Sequence, residues 1–262
     1  MNEELTLAIT GATGRMGQEL IASAQARRSV ENVHAVTQSA DELDPKTEMS
    51  VVDESNFDSH LERSTVDVLI DFTAPAPSLR YLTAAAETQT AAVVGTTGYT
   101  DDAERTLQQV AEDIPFLRAT NFSRGIAALR RALRTAVSAL DSYDIELTET
   151  HHNGKQDAPS GTALTLLDDI TAVCEQVDES ERVHGRVGEQ PRSAEEIGIH
   201  ARRAGNIAGK HEILLAGNDE EITLTHRAGS RSVFAAGALD AAEWLSDQPP
   251  GAYDFDAVLD TD

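Results

Sequence analysis

Two imidazoles and one ammonium stand within five residues of each other, at His151, His152 and Lys155. The segment runs His151-His152-Asn153-Gly154-Lys155-Gln156-Asp157-Ala158-Pro159-Ser160-Gly161-Thr162. Pro159 stiffens the turn and Ser160 is a good N-cap, so a helix is expected to open at Gly161. The backbone N–H groups of Gly161 and Thr162 would then point free, at the positive end of the helix dipole. An imidazole exchanges protons near neutrality, an ammonium holds an anion, and free amides cradle one. A small anionic substrate that must be protonated needs that combination.

His151 and His152 are adjacent at a strand end, so they face opposite sides. That places them badly for chelating one metal, and no cysteine or third histidine stands nearby. No metal site is expected. The plain alternative for the pair is a surface loop. Lysine usage argues against it: Lys46, Lys155 and Lys210 are the only lysines, although lysine is normally among the commonest residues. A lysine kept inside a histidine cluster in such a chain points to function, though Lys46 shows that a loop lysine survives too.

A second constellation lies near the N-terminus. Gly11-Ala12-Thr13-Gly14-Arg15-Met16-Gly17 follows an apolar run and opens a helical one. Glycines there permit a tight turn and close approach of a pyrophosphate to the helix end. The spacing G-x-x-G-x-x-G is weak evidence alone, and a ligand-free turn is the alternative; its context makes a dinucleotide loop the better reading. An acid often ends the second strand of such folds and binds the ribose 2′-OH. Here that strand ends Thr37-Gln38-Ser39, with no carboxylate before Asp41 and Glu42. NADP is therefore at least tolerated, with Arg15 as a nearby cation. Three further segments fall at strand ends and could line the nicotinamide: Phe72-Thr73, Gly95-Thr96-Thr97 and Thr120-Asn121-Phe122.

The elements that must carry these groups follow from hydrophobic periodicity. Strands are predicted at 5–10, 33–37, 66–72, 91–94 and 115–119. Helices alternate with them from after Gly17 to about Arg28 and at about 77–87 and 101–112, and 38–64 reads as acidic loop with a short strand. Alternating strands and helices imply a Rossmann-like, doubly wound parallel sheet. After Ser123 the pattern changes. A helix is predicted at 125–140, a strand at 143–150 that delivers His151, a helix at 161–175, strands at 197–204, 210–216 and 221–227, and a final helix at 234–245 before an acidic tail. The second architecture is a separate α+β domain with a mixed or antiparallel sheet.

Composition bounds the rest. The 262 residues carry 45 acidic against 21 basic side chains, a net charge of −24. Disorder does not explain this, because regular apolar segments run almost throughout. The pattern fits the surface of a protein from a salt-loaded cytoplasm, where screening weakens self-repulsion. It argues against nucleic acid and against anionic membrane. No run of about 18 apolar residues and no signal peptide is found, so a cytoplasmic location is expected. Cys174 is the only cysteine, so no disulfide framework exists.

In these segments the chain resembles the dihydrodipicolinate reductase (4-hydroxy-tetrahydrodipicolinate reductase) family of lysine and diaminopimelate biosynthesis. The likeness spans nearly the whole chain. It is carried by the glycine loop, Asp71-Phe72-Thr73, Gly95-Thr96-Thr97-Gly98, Asn121-Phe122-Ser123, the segment from His151 to Thr162, and Arg227-Ala228-Gly229-Ser230-Arg231. The resemblance implies a dinucleotide-binding domain of residues 1–122 plus 232–262. Residues 123–231 would form a substrate-binding and oligomerisation domain, in a homotetramer that uses NADPH, NADH or both on a small dicarboxylate. By position it implies His151 as the proton donor or acceptor and Lys155 as the catalytic lysine. His152, Gly161 and Thr162 match substrate-binding positions, and Ser160 is grouped with them. Gly11, Ala12, Thr13, Gly14, Arg15, Met16, Gly95, Thr96, Thr97, Ala119, Thr120, Asn121 and Phe122 match cofactor contacts. Thr37 also belongs to that set, but departs from the acid that many members carry there, which bears on cofactor choice and not on the reaction. Two other readings stay open: another two-domain NAD(P) oxidoreductase, such as an aspartate dehydrogenase-like enzyme, and a non-catalytic dinucleotide sensor.

Overall fold

The computed structural model describes residues 4–43, 49–174, 182–193 and 195–260. In chain order the elements are β1 (Leu5–Thr10), α1 (Arg15–Gln25), β2 (Val30–Thr37), β3 (Ser50–Asp53), α2 (Phe57–Leu61), β4 (Val68–Asp71), α3 (Pro75–Glu87), β5 (Ala91–Val94), α4 (Asp101–Asp113) and β6 (Pro115–Arg118). There follow α5 (Arg124–Ala139), β7 (Asp144–His151), α6 (Gly161–Thr171), β8 (Arg182–His184), β9 (Ile197–Arg203), β10 (Gly209–Gly217) and β11 (Glu220–Ala228). The chain closes with α7 (Ser232–Leu245), β12 (Gly251–Tyr253) and α8 (Phe255–Leu259). It divides into two compact units, Met1–Ser123 with Arg231–Asp262, and Arg124–Ser230.

The first unit holds a seven-stranded sheet in the order β12-β6-β5-β4-β1-β2-β3, with every pair parallel. All six residues of β1 and all four of β4 and β5 are buried, as strands covered on both faces must be. Helices α2, α3 and α4 share one apolar layer with the sheet; Phe57, Tyr81, Leu82, Leu107 and Val110 meet there. Helices α1 and α7 pack together on the sheet with small residues inward, Ala24 from one and Ala235, Gly237 and Ala238 from the other. Helix α4 shows local design at its start: the Thr100 side chain caps it, and Asp101, Asp102 and Glu104 sit against the positive dipole end.

The second unit holds a five-stranded sheet, β11-β10-β7-β9-β8. β10 is antiparallel to β7 and β11, while β9 is parallel to β7 and β8. One face packs under α5 and α6 through Leu133, Leu166, Leu167, Ile145, Leu147, Ile199 and Ile213.

The doubly wound sheet and the mixed second sheet are those expected, and several details differ. Helix α3 starts at Pro75, which its fixed φ suits to a first helical position. The stretch 38–64 contains α2 as well as the short strand. The final helix is not α7, since β12 and α8 follow it within the acidic tail. Strand β8 went unforeseen, and α6 stops at Thr171, short of the predicted Glu175, which lies outside the described residues, as does Lys46.

Candidate active site

In the second unit, alternate residues of β7 point to the helix-covered face. Ile145 and Leu147 join the apolar core, and Glu149 and His151 continue the same face beyond it. Strand register then supplies neighbours that no local spacing reveals: Arg203 of β9 lies beside His151, and His211 of β10 beside Glu149. Glu149 is fully buried. It accepts a hydrogen bond from His151 Nδ1 at 2.5 Å, two from Arg203 at 2.8 and 2.9 Å, and one from the Ser160 N–H at 3.2 Å. Burial alone would raise its pKa, but the bonds and charges of His151 and Arg203 outweigh that and push it down to about 2. With Nδ1 committed to a fixed anion, Nε2 is the nitrogen left to exchange a proton. A Cβ at Gly209 would stand 3.1 Å from Nε2, so the glycine keeps that side of the ring clear.

Ser160 is the N-cap of α6, as foreseen, and its Oγ accepts from the Ala163 N–H at 3.2 Å. The same Oγ lies 3.1 Å from His211 Nε2. His211 is buried edge-on against His151, with ring centroids 5.2 Å apart. Burial, with repulsion from His151, pushes its pKa down to about 3, so it is a neutral ring that Ser160 can donate to. Among the described residues His211 Nδ1 has no hydrogen-bond partner.

Lys155 sits on the turn after β7, where its N–H bonds His152 O and the Asn153 N–H bonds Gly205 O. Its ammonium is 2.8 Å from Asp157 Oδ1. A carboxylate just ahead of a helix is drawn to its dipole and its unpaired donors. Partial burial works against ionisation, but Lys155 beside it holds the Asp157 carboxyl below the usual range. The protein's own carboxylate therefore occupies the ammonium of the cradle. His152 is half-buried, on the opposite side of the strand end from His151.

In the first unit, the cofactor positions gather at the carboxyl ends of β1, β2, β4, β5 and β6. Gly11 has φ +67°, a conformation that favours glycine. A Cβ on Gly17 would lie 2.2 Å from Gly11 O, and one on Gly95 would lie 2.2 Å from the Phe72 ring. Helix α1 begins at the exposed pair Gly14 and Arg15, with no side-chain cap and no acid in its first turn. In a chain so rich in acids, that bare helix start leaves N–H donors and positive dipole for an anion. These residues fit a dinucleotide pyrophosphate. Ala12 is buried beneath the loop and Met16 lies partly exposed beside it.

Thr37 is buried, and its hydroxyl lies 3.3 Å from that of Thr13, which ties the end of β2 to the glycine loop. The sequence shows no acid at this strand end, yet the fold brings one there. Gln38 Nε2 donates to Glu54 Oε1 at 2.5 Å, because β3 pairs with β2 and places Asp53 opposite Thr37. Thr96 is buried and Thr97 exposed. Ala119 and Asn121 are partly exposed, Thr120 fully, and Asn121 Oδ1 accepts from the Ser123 N–H at 2.8 Å. The Phe122 ring is buried between Phe72 and Phe255, so only its backbone is left for a ligand.

Among the described residues no group of three or more His, Cys, Asp or Glu is placed to hold a metal ion. No helix among them is long and apolar enough to cross a membrane.

Comparison with known proteins agrees across the chain. Residues 5–122 match the family model "Dihydrodipicolinate reductase, N-terminus", and residues 125–259 match "Dihydrodipicolinate reductase, C-terminus". A 4-hydroxy-tetrahydrodipicolinate reductase of Natronomonas pharaonis is 48% identical over 256 residues, covering 97% of this chain and all of that one. The enzyme of the same name from Haloarcula marismortui is 46% identical, covering 97% and 98%. A dipicolinate-bound dihydrodipicolinate reductase from Paenisporosarcina sp. TG-14 superposes with a TM-score of 0.77 at 24% identity, over 95% of this chain and 97% of that one. The chain belongs to the dihydrodipicolinate reductase family, the NAD(P)H-dependent oxidoreductases that reduce this intermediate of lysine and diaminopimelate biosynthesis.

Proposed function

We propose that His151 delivers the proton in this reduction and that Lys155 holds a substrate carboxylate. The observation that carries the reading is the buried Glu149, which Arg203 and the Ser160 N–H fix in place and which in turn fixes His151 Nδ1. An imidazole so held presents Nε2 at a set angle and gains a stabilising anion when it is protonated. Hydride addition to a conjugated C=N system leaves electron density that a nearby acid must neutralise. The bound nicotinamide supplies that hydride. A dicarboxylate substrate is met by the Lys155 ammonium, by the Gly161 and Thr162 amides and by the Ser160 cap, with His152 as a further contact. Its carboxylate takes over the position that Asp157 now fills.

In this reading residues 1–122 plus 232–262 bind the dinucleotide, and residues 123–231 bind the substrate and assemble. Gly11, Ala12, Thr13, Gly14, Arg15 and Met16 receive the pyrophosphate half. Thr37 meets the adenosine ribose. Gly95, Thr96, Thr97, Ala119, Thr120, Asn121 and Phe122 line the nicotinamide. A homotetramer is supported by the face of the second sheet opposite α5 and α6. No element of its own unit covers that face among the described residues, and the paired Leu214 and Thr223 lie open on it. The enzyme works in the cytoplasm, where its pathway and cofactor pool reside.

The test is NAD(P)H oxidation with freshly generated pathway intermediate, against simple keto acids. Wild type turns over the intermediate alone, and Lys155→Ala raises KM and lowers kcat together. Lys155→Arg is also poor, since a planar fork does not replace a compact ammonium. Turnover of keto acids with equal efficiency would sink the substrate assignment.

A further inference from the structure

Asp71 ends β4 in the middle of the seven-stranded sheet, paired with Thr10 of β1 on one side and Val94 of β5 on the other. It has no solvent exposure. Four hydroxyls converge on its two oxygens. Thr10 and Thr73 lie 2.6 and 2.7 Å from Oδ1, and Ser78 and Thr96 each lie 2.6 Å from Oδ2.

The direction of each bond follows from the chemistry. A carboxylate only accepts, so each hydroxyl spends its single proton on Asp71. Ser78 Oγ must then accept from the Tyr99 hydroxyl, 2.6 Å away. Thr96 Oγ1 accepts from the Thr73 N–H at 2.9 Å, and the Asp71 carbonyl accepts from the Gly95 N–H at 2.8 Å. One side chain thus fastens the end of β1, the residues after β4, the residues after β5, the first turn of α3, and Tyr99. An aliphatic side chain would fill this volume without the cost of burying an anion. Packing alone does not call for a carboxylate here, whereas a fixed spacing of strand ends does.

We propose that Asp71 is a positioning residue that sets the spacing of the loops receiving the nicotinamide half of the cofactor, without touching the cofactor itself. The proposal rests on the reading above that the ends of β4 and β5 line that half. Asp71→Asn is the nearly isosteric change. Whichever way the amide turns, its NH2 faces two hydroxyls that lose their acceptor.

The experiment is calorimetric titration of the full-length protein with NADH and with ADP-ribose, which has the adenosine and pyrophosphate but no nicotinamide. Asp71→Asn weakens NADH binding by roughly tenfold or more and ADP-ribose binding by far less. An unchanged NADH affinity, or proportional losses for both ligands, overturns the proposal; the second outcome marks general damage. Wild type that binds neither ligand overturns the cofactor reading and this inference with it. Should Asp71→Asn not fold, Ser78→Ala cuts one bond to the carboxylate at a residue with no place in the cofactor site. It then shows a smaller loss selective for NADH, and the absence of a selective loss overturns the proposal.

Discussion

His151 owes its geometry to residues far away in sequence, which makes its role separable from theirs. His151→Gln lowers kcat by roughly 10²–10⁴-fold, the span of general acid–base groups, while calorimetric NADH affinity holds. Unchanged turnover would remove it from the mechanism. His211 gives a second test, through pH. Its folded pKa of about 3 lies below the ordinary 6.5, so the unfolded chain binds more protons between those values. The stability it contributes is complete above pH 6.5 and drains away as pH falls toward 3, by on the order of 5 kcal/mol in all. Glu149 adds a loss of the same sign between its ordinary 4.5 and about 2. Urea midpoints measured from pH 7 to 4 therefore fall steeply in wild type and far less in His211→Gln; parallel curves would disprove the buried neutral ring. The contiguous residues of this site were legible in the sequence, because His151, Lys155, Ser160 and Gly161 fall within one turn and one helix start. Glu149, Arg203 and His211 were not, since strand register assembles them. Their signal was present as polar residues in phase with the core positions Leu147, Ile199 and Ile213.

At the scale of elements, α6 depends on its cap more than an ordinary helix does. Ser160→Ala removes the bond to the Ala163 N–H and the partner of a buried imidazole, and costs about 2 kcal/mol by denaturation. A loss within error would mean that water replaces the hydroxyl. Helix α1 and strand β2 raise the matter of cofactor choice. The sequence, with Thr37-Gln38-Ser39 at the strand end, reads as tolerant of a 2′-phosphate, but Glu54 reaches Gln38 from beyond β3. Its charge opposes a 2′-phosphate, so Glu54→Gln raises kcat/KM for NADPH relative to NADH, and Thr37→Glu lowers it. An unmoved ratio in Glu54→Gln would show that the carboxylate swings clear of the ribose. The long elements were readable because burial on both faces gives β1, β4 and β5 unbroken apolar runs and gives α4 a clean helical stripe. The short ones escaped for an equally physical reason. β8 and β12 have three residues each, and α2 and α8 have five, too few for any period to register.

The whole molecule carries 45 acidic and 21 basic residues, most of them on its surface. At about 0.01 M salt the Debye length is roughly 30 Å and these charges repel across the molecule; at about 1 M it is roughly 3 Å. Melting temperature and activity therefore rise from dilute to molar KCl, and sucrose, as an uncharged control, does not reproduce the rise. A flat melting temperature would show that the acidity serves another end, such as a surface for a basic partner.

With Lys155 as the proposed seat of the substrate carboxylate, Asp157 turns substrate capture into an exchange of ligands. One carboxylate leaves the Lys155 ammonium as another arrives, so the tally of ion pairs is the same before and after. Salt screens both sides alike. The Michaelis constant therefore stays nearly level over the same KCl range in which the fold gains strength. Replacing Asp157 with Ala removes the resident anion, leaves an ammonium to meet its substrate from water, and makes KM climb with salt. A wild-type KM that climbs just as steeply would mean that Asp157 never leaves.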